Sequence, residues 1–187
     1  MSGAQKLSRS ARFNLIAIGT VAALPLVGSY LLYLLWQPER FVNYGQLIEP
    51  TPLPELVAAP GMQAVKGKWV FVMVDAGSCD ETCQRKLYVM RQLRLTQGKN
   101  MDRIERVWLI DDADRPAPPL MAEYEGTHAL PAAGAQWLSK FPSTASSRDH
   151  IYIVDPLGNL MMRYPRDADP NRMKKDLSRL LRASRIG

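Results

Sequence analysis

The chain is 187 residues long, room for one ordinary domain and an appendage, and its 47% hydrophobic content excludes a disordered tail. Two cysteines and two histidines exclude a disulfide-rich scaffold, a four-cysteine zinc ribbon and a His-rich metal site. The net charge is +6, but Lys6, Arg9 and Arg12 supply half of it before residue 37, and no cationic stripe interleaved with aromatics follows, so nucleic acid is not an expected partner.

No charged residue stands between Arg12 and Glu39. As a helix, the apolar run Phe13–Trp36 would extend ~36 Å, longer than the ~30 Å hydrocarbon core of a bilayer, so it is expected to cross with some tilt. Gly19, Pro25 and Gly28 are tolerated in such a span, and Tyr30, Tyr33 and Trp36 gather at one end as an aromatic belt does. A cleaved signal peptide would have a shorter apolar region ending in small residues, whereas this run ends in Tyr-Leu-Leu-Trp. All the N-terminal cations precede the span. The positive-inside rule therefore predicts a cytoplasmic segment 1–12, an anchor 13–36 and everything beyond it outside the cytoplasm, in the periplasm of a single-pass inner-membrane protein. That compartment is oxidising, and two cysteines can serve there as a redox pair.

Residues 37–60 contain Pro38, Pro50, Pro52, Pro54 and Pro60, and the stretch is expected to be a non-helical, extended, semi-rigid arm. From residue 61 to 187 the pattern is that of one α/β domain. Trp69–Val74 is a continuous apolar run suited to a strand buried on both faces. Ser78 and Glu81 form an S-x-x-E capping box, and Cys79, Cys83, Leu87 and Met90 follow as a helical stripe. Val107–Ile110 predicts a second buried strand, and helices are expected around Leu120–Gly126 and Ala132–Lys140. Ile151–Val154 predicts a third strand, and Asp155–Asn159 is turn chemistry leading into a fourth, Leu160–Tyr164. The last helix starts at Asp169 as N-cap with Pro170 in its first position and buries Met173, Leu177, Leu180 and Leu181. This order, β-α-β-(α)-β-β-α, is that of a thioredoxin-like fold, whose sites lie at the carboxyl ends of the strands.

Cys79 and Cys83 are the residues that carry chemistry. Four apart on a helix they share a face with Cβ atoms about 5–6 Å apart, wider than the roughly 3.5–4.5 Å of a disulfide. A disulfide therefore requires the first helical turn to unwind or tighten. The same spacing lets two thiolates converge on one soft cation such as Cu(I). The helix N-terminus favours the Cys79 thiolate, as do Arg85 and Lys86 if they fold towards it, while Asp80 and Glu81 oppose it. Cys79 is expected to be the more exposed sulfur. The competing interpretation is that both are small core residues on a buried stripe.

The segments VKGKWVFVMVDAGSCDETC, RVWLIDDADRP and HIYIVDPLGN together resemble the Sco family, membrane-anchored thioredoxin-like proteins of cytochrome c oxidase assembly. The resemblance covers roughly residues 60–185. It maps the family's C-x-x-x-C motif onto Cys79 and Cys83, an acidic segment onto Asp111–Arg115 and a Pro-x-Gly turn onto Pro156 and Gly158. It implies a thiol–disulfide oxidoreductase or a Cu(I) chaperone for the copper site of an oxidase subunit, or a non-catalytic assembly protein docking onto a subunit or another assembly factor. This chain departs from the family in having Asp80 and Gln84 beside the cysteines, and Ser147 where the family places its third copper ligand, a histidine. His150, three residues away, is the candidate third metal ligand. His128 is expected in a loop, Met161 and Met162 point to opposite faces of their strand, and no proline precedes Ile151 to act as a substrate clamp. The redox function is the one this sequence favours, with Cu(I) handling as the alternative.

Overall fold

The computed structural model describes residues 9–35, 43–184 and 186, and the chain separates into two units, Met1–Val42 and Asn43–Gly187. In the first, α1 (Arg9–Leu35) is a helix of 27 residues that runs through Pro25 and buries none of its side chains. Thr20 returns its hydroxyl to the carbonyl of Ile16 at 2.9 Å, so the helix carries that polar group internally, as hydrocarbon demands. Among the described residues it is the one helix long and apolar enough to cross a membrane. Trp36, expected to close the span, lies outside the described residues, as do Lys6 before it and Pro38, Glu39 and Arg40 after it.

The second unit is built on a six-stranded sheet. Its strands are β1 (Gln46–Pro52), β2 (Trp69–Asp75), β3 (Ile104–Ile110), β4 (Thr127–Pro131), β5 (Ile151–Val154) and β6 (Asn159–Arg163), in the spatial order β1-β6-β5-β2-β3-β4. β2 pairs in parallel with β3, and β3 with β4, while β5 and β6 return antiparallel on the other side of β2. Every residue of β2 is buried, as its uninterrupted apolar run requires of a central strand. Period-two alternation splits the core. Phe71, Met73, Ile151 and Ile153 face one cluster with the helices α3 (Glu81–Leu95) and α5 (Pro170–Ala183). Val70, Val72, Val74, Tyr152 and Val154 face the other, with Leu53 and Leu56.

Those two leucines correct the expectation of an extended arm over residues 37–60. From Asn43 onward that stretch belongs to the domain: β1 adds to β6 as an edge strand, and α2 (Pro54–Ala58) follows as a short helix. The prolines permit both. An edge strand tolerates missing donors, and Pro54 sits in the first turn of α2, where its absent N–H would be unpaired anyway. Leu53 and Leu56, both 0% exposed, supply the reason to fold. A second correction concerns residues 118–140. α4 (Pro118–Glu123) is shorter than expected, Thr127–Pro131 is strand β4, and Gln136–Lys140 is a single 3-10 segment.

Tyr152 and Tyr164 are both 0% exposed, and burial pushes each phenol above its ordinary value. In the unfolded chain both would ionise near pH 10, so the folded state holds protons that the unfolded state gives up, and stability falls as pH rises past that value. Alkaline titration followed by tyrosinate absorbance is expected to show these two ionising only as the domain unfolds. Tyr152→Phe should flatten the pH dependence of the unfolding midpoint above pH 10.

Candidate functional site

The carboxyl ends of β2 and β3 meet the start of α3, and the segment Ala76–Asp80 joins them. Gly77 donates its N–H to Oδ1 of Asp112 at 2.9 Å, and the same oxygen accepts from the N–H of Asp114. A side chain at position 77 would collide with the carbonyl oxygen of Asp114, so this close approach of two loops requires glycine. Cys79 then turns with φ 47°, the left-handed region that a non-glycine residue seldom adopts. Its own N–H donates to the carbonyl of Ala76 at 3.2 Å, and its carbonyl accepts from Nε2 of Gln84 at 3.1 Å.

This turn moves the helix start. Asp80, not Ser78, is the N-cap of α3: its Oδ1 accepts from the N–H of Cys83 at 2.9 Å, a charge-assisted bond at the positive end of the helix. Cys79 therefore lies ahead of the helix and Cys83 within its first turn. The departure from helical geometry brings their Cα atoms to 5.1 Å, and the two sulfurs are joined as a disulfide. Cys79 is 3% exposed and Cys83 0%, so both are buried in this oxidised form, and the expected difference in exposure between them is negligible. A groove of about 570 Å3 starts at Thr82, next to Cys83, and runs along α3 past Arg85 and Tyr88 opposite Pro165 and Arg166.

Beside the disulfide loop lies a buried ion pair. Asp75, the last residue of β2, is 7% exposed and Lys86 of α3 is 5% exposed, with Nζ 2.6 Å from Oδ2 of Asp75. The ammonium also donates to the carbonyls of Val74, at 3.2 Å, and Arg148, so all three of its protons are used. Desolvation outweighs these partners and pushes the Lys86 ammonium below its ordinary value. Lys86 thus folds onto the strand end and is not available to the thiolate in the manner the sequence allowed. Arg148 in turn forms a bidentate pair with Asp111, Nε to Oδ2 at 2.9 Å and Nη2 to Oδ1 at 2.7 Å. Asp75, Lys86, Arg148, Asp111 and Asp112 thereby close a polar chain from the residue at the end of β2 to Gly77. Sequence reasoning passed over this chain. Its signals were an acid ending an apolar strand and a lysine next to Leu87 on the buried stripe of α3.

His150 precedes β5 in the register, where Ile151 faces Met73, and even-numbered residues of that strand face the cluster opposite the cysteines. Its ring sits edge-on to Tyr152 with centroids 5.8 Å apart, and Nδ1 is 2.8 Å from the carbonyl of Tyr164. Nε2 is buried without a partner. His128 belongs to β4 rather than to a loop, and its Nε2 lies 3.3 Å from Oε2 of Glu105. Neither histidine is brought together with the cysteines, and among the described residues no group of three or more His, Cys, Asp or Glu side chains is placed to hold a metal ion. The donors present are two sulfurs, free to ligate only once the disulfide is reduced.

A protein-family model described as "Transmembrane-like, thioredoxin-like, C-terminal domain" matches residues 69–184. Among solved structures, the apo Sco1 protein from Thermus thermophilus is similar with a TM-score of 0.54 and 16% identity, covering 76% of this chain and 99% of that one. Yeast Sco1 with copper bound is similar with a TM-score of 0.53 and 14% identity, covering 78% and 96%. Another structure of yeast Sco1 has a TM-score of 0.51 and 16% identity, covering 65% and 84%. At these identities the likeness is one of fold. No curated protein matches the sequence.

Proposed function

The chain belongs to the family of transmembrane-like, thioredoxin-like C-terminal domains, and on that premise we propose that it is a membrane-anchored thiol–disulfide redox protein of the Sco type. The carrying observation is the Cys79–Cys83 disulfide at the start of a capped helix, at the strand ends where this fold keeps its chemistry. In the reduced form the Cys79 thiolate attacks a client disulfide, forming a mixed disulfide and releasing one client thiolate. Cys83 then attacks Cys79 Sγ, releasing the second client thiol and restoring the pair seen here. Two electrons pass to the client, and a dithiol carrier returns the domain to its reduced state. The resemblance of the three sequence segments to the Sco family extends the proposal to the cysteines of an oxidase copper site as the client, with α1 as a single-pass inner-membrane anchor and the domain in the periplasm.

The test separates redox chemistry from a structural cross-link. Five residues close this disulfide, so the chain-entropy model gives it only about 2 kcal/mol of stability. Cys79→Ser and Cys83→Ser are expected to unfold at somewhat lower denaturant concentration; with a disulfide peptide the reduced native domain should release both peptide thiols, Cys83→Ser should stop at the mixed disulfide, and Cys79→Ser should not react. Full reduction of the peptide by either variant, or no reduction of it by the native domain, would sink the proposal. The copper-bound structure of similar fold gives Cu(I) handling a specific footing as the second function.

A further inference from the structure

The domain's charge is segregated onto one helix. α5 carries Arg172, Lys174, Lys175, Arg179 and Arg182, all exposed, and its one acid, Asp176, is 1% exposed. Residues 43–169 hold 14 Lys and Arg against 16 Asp and Glu, a net negative body. The positive excess of the domain is therefore that of a single surface element, whose apolar side, Met173, Leu177 and Leu181, is committed to the core.

The chain coming from the membrane segment is fastened to this same helix. Tyr44 and Gly45 both donate their N–H groups to Oδ2 of Asp176 at 2.8 Å. The Tyr44 hydroxyl accepts from the N–H of Asp169 at 3.1 Å, and the Arg172 guanidinium lies 3.9 Å over the Tyr44 ring. Both bonds fall on Oδ2, while Oδ1 of Asp176 lies 3.6 Å from Nη1 of Arg179, so one outer cation is paired with the buried acid, and Lys174, Lys175 and Arg182 stand with it on the face the helix presents. Only residues 36–42 separate Leu35 of α1 from Asn43.

We propose that the cationic face of α5 docks on the anionic phospholipid headgroups of the membrane that holds α1. The proposal rests on α1 being a membrane anchor. Charge complementarity selects an anionic surface, and the attachment of the incoming chain to α5 selects the lipid over an acidic protein. Each Lys or Arg near an anionic bilayer raises the docked-to-free ratio about fivefold, so several acting together hold a tethered domain without any apolar insertion. The interaction weakens with salt because it is one of exposed charges.

The full chain, its native pair left oxidised, is labelled through Ala183→Cys with a fluorophore and reconstituted into vesicles bearing a headgroup spin label. Strong quenching is expected when one-third of the lipid is phosphatidylglycerol at low salt, and little with phosphatidylcholine alone or in molar salt. Lys174→Glu/Lys175→Glu should lower the docked-to-free ratio more than tenfold, from the loss of about two such contributions, while leaving disulfide exchange unchanged. Quenching that ignores lipid charge or survives the charge reversal overturns the proposal. So does its absence from anionic vesicles, which would leave the face to an acidic protein. Release of the chain from vesicles by alkaline carbonate would overturn the anchor, and docking with it, whereas retention without quenching overturns docking alone.

Discussion

Replacing Lys86 by methionine is expected to lower the stability of the oxidised domain by about 3–5 kcal/mol, the cost of leaving a buried carboxylate without its partner. Asp75 is held inside by the sheet, with Oδ1 accepting the N–H of Ala76 at 2.9 Å, and cannot swing out to water. The variant also strips a donor from the carbonyls of Val74 and Arg148. Asp75→Asn in the same chain removes the charge while keeping the acceptor for Ala76, so the double variant should be markedly more stable than the single one. Denaturant unfolding of the four proteins, followed by the fluorescence of buried Trp108, measures the coupling. Strict additivity would show that the pair does not act as a unit. Because this pair stands at both ends of the segment containing Cys79, the disulfide potential of the single variant should shift as well.

Reduced protein is expected to bind one Cu(I) through Cys79 and Cys83, and Cys83→Ser should abolish that binding. Cu(I) is content with two thiolates in low coordination, whereas Cu(II) gains particularly from an imidazole. His150 offers none to this site: its ring stands edge-on to Tyr152, a residue of the cluster opposite the cysteines, and Nδ1 is engaged with the carbonyl of Tyr164. His150→Ala should therefore leave Cu(I) affinity nearly unchanged, and native protein should hold Cu(II) weakly. Ser147 occupies a short 3-10 segment whose neighbour Arg148 contacts Lys86 of the cysteine-bearing helix. Ser147→His is thus the substitution expected to raise Cu(II) affinity. Anaerobic competition with a Cu(I) chelator and Cu(II) titration by absorbance check these outcomes. A tight native Cu(II) complex lost on His150→Ala would show that the loop rearranges on reduction.

The legible parts of the fold were those with strong periodicity or punctuation. β2 was visible as an apolar run between Lys68 and Asp75, and α5 as an Asp-Pro start with regularly spaced apolar residues. β1 was hidden because proline forbids helix and central strand alike but not an edge strand, and only the burial of Leu53 and Leu56 distinguishes the two cases. β4 was hidden because five residues ending in proline show too little alternation to identify. At the site, the spacing identified the pair, while two local competitions decided its geometry. Asp80 displaced Ser78 as cap, and the left-handed turn at Cys79 took that residue off the helix. The polar chain through Asp75, Lys86 and Arg148 joins residues from four separated segments, which no local pattern brings together.

The prolines that obscured the outer strands bear on how many copies of this protein can share one membrane. Anchored domains are confined to a thin layer, where neighbours meet far more often than in free solution. An uncapped sheet edge in that layer would invite strand-by-strand polymerisation. Here β1, at one edge, contains Pro50 and Pro52, and β4, at the other, ends in Pro131. Each border of the sheet thus lacks donors that an incoming strand would need, so crowding in two dimensions is met with a built-in resistance to fibre growth.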